Sequence, residues 1–236
     1  MNFAWVLIAA AWAASAAEEE GFVPLFDGST LGQWGGAAGF WRVEDGAITG
    51  ETTAERTLAH HSYLIWRGGE FEDFELRLSF RLLSGNSGVQ YRSRDLGDQE
   101  VAGYQCNIET KKPGRTAILE EMKGGRGGAL AEVGRRVEIG PDGSRMVLGQ
   151  IGDPARIEAS IDMRGWNQLV IIARGDRLIH KLNGHVVVDV TDRQKGNAAG
   201  HGILALQLHA GRPMKVQFKD VRLKRLDREA CGRLLR

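Results

Sequence analysis

The sequence has little with which to staple, stiffen or steer itself. Its two cysteines, Cys106 and Cys231, are too few for a disulfide framework. Neither has a second Cys or a His at metal-ligand spacing, so a thiolate metal centre is excluded. Five prolines in 236 residues exclude a proline-rich linker. Charge of one sign is also missing: 31 basic against 30 acidic residues leave +1. That balance withholds the basic surplus a nucleic-acid partner requires. The longest apolar run, Phe3 to Ala14, is too short for a comfortable membrane span. Gly124 to Gly128 matches a phosphate loop only in glycine count, lacking the Lys-Ser/Thr ending and the following helix.

What is present begins with a leader. Phe3–Ala14 has the length of a signal-peptide apolar core, and Ser15-Ala16-Ala17 supplies small residues before Glu18-Glu19-Glu20. Cleavage after Ala16 or Ala17 is expected, giving a secreted or periplasmic protein with no membrane span after signal removal. An uncleaved N-terminal anchor is the alternative. We divide the chain into a leader (1–17), one domain (18–226) and a basic tail (227–236). Cys106 reads as a small buried hydrophobe, and a bridge to Cys231 remains the other reading.

The body of the chain is rich in glycine, 32 residues, and in period-2 alternation. Phe74, Leu76, Leu78, Phe80 and Leu82 alternate with Glu75, Arg77, Ser79 and Arg81, which predicts a half-buried strand. Trp41–Ile48 reads as a hairpin around Glu44-Asp45-Gly46, Tyr63–Trp66 as a short strand, and Ala117–Glu121 as another. Trp166–Arg174 predicts a central strand, and Asn183-Gly184 a tight hairpin. Leu204, Leu206 and Leu208 take one face and Ile203, Ala205, Gln207 and His209 the other. Apolar phase slips after Met214, Val216 and Phe218 to Val221 and Leu223, which calls for a bulge at Lys219-Asp220. Residues 131–159 read as a loop excursion with a hairpin, a candidate rim for a site. With a dozen short strands and no amphipathic helix, the expectation is all-β, a sandwich of two antiparallel sheets.

The stretch from Gly85 to Glu109 carries the functional signal. Val89, Tyr91, Tyr104, Cys106 and Ile108 share an apolar phase. Gln90, Arg92, Gln105, Asn107 and Glu109 occupy the polar one. These are groups suited to bidentate hydrogen bonding, as a floor for a polyhydroxylated ligand would need.

Several ordered motifs now resemble a known family. They are Phe22-x-x-Leu25-Phe26-Asp27-Gly28, Trp41-x-Val43-Glu44-Asp45-Gly46, Asn86-Ser87-Gly88-Val89-x-Tyr91-Arg92, Gly103-Tyr104-Gln105, Trp166-Asn167, Asn183-Gly184, Asp189-x-Thr191-Asp192 and Leu206-Gln207-Leu208-His209. Together, from about Gly21 to Leu226, they resemble the 3-keto-disaccharide hydrolase domain family. The resemblance implies a concanavalin A-like jelly roll with a concave carbohydrate-facing sheet, in exported proteins that act on glycosides oxidised at C3. Asn107 departs from a position that is often acidic in the family, and Leu119 from one that is often Tyr. Ca²⁺ occurs in many sandwiches of this kind, but no clustered Asp loop is present, so neither metal nor cofactor is assigned.

A ketone at C3 acidifies the hydrogen at C2. Cleavage then needs a base, an electrophile for the enolate oxygen and an acid for the leaving oxygen. His209 suits the base and Glu120 or Glu121 the acid. Arg92, Gln105, Asn107, Gln207 and Arg126 suit binding of the ketone and hydroxyls, with an oligosaccharide or glycoside as substrate. Arg92, Gln105, Asn107, Gln207 and His209 are expected on one sheet face, with Glu120 close by. A non-catalytic carbohydrate-binding module is the main alternative. A conventional two-carboxylate glycosidase would need a Glu-x-Asp-x-x-Glu-type strand, which is absent. A purely structural module has only residues 131–159 to support it. His180, between Leu178 and Leu182, reads as core.

Overall fold

The computed structural model describes residues 21–109 and 111–227, so the leader and Cys231 lie outside the described residues, as does all of the tail but Asp227. In chain order the strands are β1 (Val23–Pro24), β2 (Trp34–Gly35), β3 (Trp41–Glu44), β4 (Ala47–Thr52), β5 (Ser62–Trp66), β6 (Phe74–Ser84), β7 (Asn86–Gly97), β8 (Glu100–Glu109) and β9 (Leu119–Met122). They continue with β10 (Ala129–Ala131), β11 (Arg135–Ile139), β12 (Arg145–Gln150), β13 (Asn167–Arg174), β14 (Arg177–Leu182), β15 (His185–Asp192), β16 (Ile203–Leu208) and β17 (Met214–Arg225). The larger sheet runs β12-β11-β15-β14-β13-β6-β17-β4-β3 with β1 beside β17, and the smaller runs β10-β9-β8-β7-β16-β5-β2. This is the jelly-roll sandwich expected from the sequence. One pairing departs from the antiparallel rule: β11 lies parallel to β15.

Alternation places the core. Phe74, Leu76, Leu78, Phe80 and Leu82 are buried while Glu75, Arg77, Ser79 and Arg81 are half-exposed. From the smaller sheet, Val89, Tyr91, Tyr104, Cys106, Ile108, Leu204, Leu206 and Leu208 meet them. Trp34 is buried and its indole N–H donates to the Leu25 carbonyl at 2.7 Å. The slip in β17 is a bulge: register shifts between Lys219 and Arg222, and Asp220 has φ +54°.

Residues 131–159 hold the expected hairpin, β11–β12, and also a helix that the alternation did not announce, α1 (Pro154–Ala159). Asp153 caps it by accepting from the Ala155 N–H, Pro154 sits in its first turn, and Ile157 alone is buried. Six residues with one buried side chain cannot display a helical stripe.

Arg92 also departs from its expected place. The register of β7 against β8 shifts between Tyr91 and Arg94, and Arg92 has φ +44°. This bulge turns the guanidinium toward the end of the sandwich, not onto the outer sheet face. There it meets Asp73 at 2.9 Å and the carbonyls of Glu72, Gly175 and Ala199 at 2.8, 2.7 and 3.3 Å. Asp73 also accepts from the Gly175 N–H. Arg92 therefore ties the smaller sheet to the β13–β14 turn of the larger one.

His180 is core, as read. It is fully buried, with Nδ1–H donating to the Ala117 carbonyl and Nε2 accepting from the Tyr91 hydroxyl, each at 2.9 Å. Burial is the main cause that pushes its pKa down to about 4, against the opposing backbone bond to Ala117. An unfolded chain takes up this proton near pH 6.5, whereas the native one resists until about pH 4. His180 thus costs the fold nothing above pH 6.5 and removes stability as pH falls toward 4, by roughly 3 kcal/mol across that window. Urea unfolding of wild type and His180→Leu between pH 4 and 7 should show a shallower pH slope in the variant. Equal slopes would contradict the assignment.

Candidate functional site

Strand registers order the outer face of the smaller sheet into rows. In the first, Glu120 pairs with Gln105, Gln105 with Gln90, and Gln90 with Ala205. In the second, Asn107 pairs with Gly88, and Gln207 pairs with Tyr63 on the other side. The same registers, carried one residue past Leu208↔Ser62, set His209 beside His61 in a third row with Asn86 and Glu109. Gln105, Asn107, Gln207, His209 and Glu120 therefore share one face, as expected from their phase.

The first two rows are not wet. Gln90, Gln105, Asn107 and Gln207 are 0, 2, 2 and 1 % exposed. The reason is the β7–β8 arm beyond the bulge. Val101 of β8 packs on Tyr63, Ile65 and Ala205, which it can touch only by lying over β7 and β16. The Gln99 carbonyl accepts from the Tyr63 N–H at 3.0 Å, and Asp95 pairs with Arg67 at 2.5 Å. Beneath the arm the amides satisfy each other: Gln90 Nε2 donates to Gln105 Oε1 at 2.9 Å and Ser93 Oγ to Gln90 Oε1 at 2.8 Å. Gln207 Nε2 donates to the Tyr63 hydroxyl at 3.2 Å, while its Oε1 finds no partner among the described residues. Asn107 Nδ2 donates to the Arg115 carbonyl at 3.2 Å. Gly88 is bare because Gln105 lies across it: a Cβ there would come 2.5 Å from Gln105 Cδ.

The third row is open. His209, Asn86, Glu109, Lys111, Arg212 and Met214 line a cleft of about 500 Å³. His209 Nδ1 is 2.6 Å from the Ala210 carbonyl. A carbonyl only accepts, so Nδ1 carries the proton and Nε2 of the neutral ring is bare. Its ring centroid is 4.2 Å from that of His61. In the sequence Glu109 looks like one more polar-phase residue. No described residue donates to its carboxylate, and it borders the same cleft as His209. Glu120 is three strands and two rows from His209, about 14 Å across the sheet and about 13 Å along it. Its carboxylate is paired with Arg115 at 3.0 Å. It shares the face with His209 but cannot share a reacting atom with it.

Glu121 and Arg126 lie elsewhere. Glu121 is one residue on from Glu120 and so faces the sandwich interior, where it pairs with Arg126 at 2.5 Å. Arg126 also pairs with Asp192 at 2.6 Å, and Asp192 accepts from the Tyr104 hydroxyl at 2.6 Å. Both charges are sealed, 3 and 5 % exposed in their side chains. A second cavity, about 370 Å³, is bordered by Arg92, Arg94, Glu121, Asn197 and His201. The guanidinium of Arg92 and the carboxylate of Glu121 are already committed to internal partners, so this cavity has fewer charges to offer a ligand than the cleft at His209. Among the described residues no cluster of three metal-ligating side chains occurs, and no helix is long and apolar enough to cross a membrane.

Comparison with known proteins gives a consistent setting. The sequence profile of the 3-keto-alpha-glucoside-1,2-lyase-like domain matches residues 21–224. No curated protein matches the sequence. A candidate glycosyl hydrolase from Parabacteroides distasonis superposes with a TM-score of 0.56 at 20 % identity, covering 88 % of this chain and 95 % of its own. The carbohydrate-binding module CBM66 of Bacillus subtilis gives 0.52 at 17 %, covering 81 and 95 %. A Bacillus subtilis protein with a galectin-like fold gives 0.52 at 12 %, covering 82 and 87 %. At these identities the likeness is one of fold.

Arg92→Ala should leave Asp73 buried without its cationic partner and cost about 3–5 kcal/mol, read by urea unfolding. A variant as stable as wild type would contradict the role of Arg92 as an inter-sheet tie.

Proposed function

This chain belongs to the 3-keto-alpha-glucoside-1,2-lyase-like family, and from that premise we propose that it is an exported carbohydrate-active enzyme cleaving the glycosidic bond of 3-keto-glycosides. The observation that supports this most is the bare Nε2 of His209, held by the Ala210 carbonyl at the mouth of a cleft that Glu109 also borders. His209 Nε2 removes the proton from C2, and the electron pair moves onto the C3 oxygen as an enolate. The enolate then expels the aglycone oxygen from C1, which takes a proton from Glu109. Water adds to the resulting enone, its hydroxyl to C1 and its proton to C2, so the sum is hydrolysis. Lys111 and Arg212 line the cleft and supply positive charge where the enolate forms. Arg92 and Arg126 have no part in this scheme, and Glu109 takes the acid role for which the sequence offered Glu120 or Glu121. A binding module would present an aromatic platform to the sugar face. The cleft at His209 is lined by none of Trp, Tyr or Phe.

His209→Ala should lower kcat/KM on a 3-keto-glycoside by about 100-fold or more. Glu109→Gln should slow substrates with a poor leaving group much more than an activated aryl glycoside. Wild-type rates in both variants would overturn the scheme. Tight binding of unoxidised oligosaccharide with no turnover of any keto-glycoside would support the binding-module reading. Export is tested by intact mass of the mature protein, expected to begin at Ala17 or Glu18; a secreted form still starting at Met1 would contradict it.

A further inference from the structure

His61 and His209 come from different strands' ends, yet both are anchored on Ala210. The Ala210 carbonyl accepts from His209 Nδ1 at 2.6 Å, and the Ala210 N–H donates to His61 Nδ1 at 3.1 Å. An amide N–H only donates, so His61 Nδ1 must be the bare nitrogen and its proton sits on Nε2. In their neutral forms the two rings, 4.2 Å apart, are thus held in opposite tautomers. At Nε2, His209 offers a lone pair and His61 offers a proton. No described residue accepts from His61 Nε2. Charge on the ring is also disfavoured: burial lowers its pKa, with His209 and Lys123 adding to the effect and Glu100 opposing it. Glu100 is itself ion-paired with Lys123, so it cannot draw a proton onto His61 strongly. His60, the remaining neighbour, also disfavours charge on the ring.

We propose that His61 is the hydrogen-bond donor of the site, its Nε2–H holding the C3 oxygen of the substrate while His209 Nε2 takes the C2 proton. This rests on the keto-glycoside reading above. A neutral imidazole N–H suits an enolate because it is a hydrogen-bond donor too weakly acidic to give up its proton. Ala210 is the device that makes one His a base and the other an electrophile from chemically identical side chains.

Two substitutions separate this role from a structural one. His61→Asn keeps an acceptor at the position of Nδ1 for the Ala210 N–H but loses the distal donor. His61→Gln places an amide N–H near the position of Nε2. The proposal expects His61→Asn to lose about 100-fold or more in kcat on a 3-keto-glycoside, the range for removal of one oxyanion donor, and His61→Gln to stay within about tenfold of wild type. A ring needed only to brace Ala210 gives the opposite order, and that result, or equal rates in all three, overturns the proposal. Nitrogen-15 imidazole NMR of the resting wild type at neutral pH provides a readout without substrate: His61 should carry its proton on Nε2 and His209 on Nδ1. A His61 protonated on Nδ1, or on both nitrogens, also overturns it. If wild type turns over no keto-glycoside, the parent reading falls and the C3-oxygen role with it, while the NMR still decides whether the tautomer pair exists.

Discussion

The bulge at Arg92 and Ser93 decides what the smaller sheet can expose. It needs two glycines to exist. A Cβ on Gly103 (φ +152°) would come 2.6 Å from Ser93 Cα, and one on Gly202 (φ +153°) would come 2.4 Å from the Ser93 carbonyl oxygen. Packed between these two backbones, the bulge does three things. It swings Arg92 into the gap between the sheets, where it meets Asp73. It presents Ser93 Oγ to Gln90. It also bends the rest of the β7–β8 hairpin over its own sheet until Gln99 docks on the edge of β5.

The consequence is a sheet with both faces buried over most of its area. Polar groups removed from water are costly unless bonded, and the amides of Gln90, Gln105, Asn107 and Gln207 meet that requirement largely among themselves and with Ser93, Tyr63 and the Arg115 carbonyl. A buried network of this kind fixes side-chain positions under the site more firmly than a solvated face would. Where the arm stops, the third row begins, and only there do His209 and Glu109 meet solvent around a cleft. The chemistry is displaced to the end of the sheet, and the amide rows become its support.

This explains what could be read in the chain and what could not. Phase was legible because every strand of the sandwich has a buried side: Val89, Tyr91, Tyr104 and Cys106 are inside, and Gln105, Asn107, Gln207 and His209 are opposite. Phase does not report a bulge, so counting two residues on from Gln90 puts Arg92 on a face its backbone never reaches. It does not report a covering arm either, since a sealed amide and a wet one look alike in sequence. Glu120 and Glu121 were ambiguous as a pair, but adjacent strand residues must face opposite ways; one lies near Arg115 and the other near Arg126. His61 carried no signal because it precedes the strand at Ser62, in a stretch with no alternation to place it. Its partner Ala210 acts through its backbone, which any residue could supply.

The central claim is that a sugar binds the cleft at the open end of the smaller sheet, not the cavity beside Asn197 and His201. Amide chemical shifts followed during titration with a non-cleavable 3-keto C-glycoside test this most directly. The account predicts saturable shifts at Asn86, Glu109, His209 and Ala210, with Asn197 and His201 unmoved. Shifts confined to Gly103, Asn197 and His201 would contradict it.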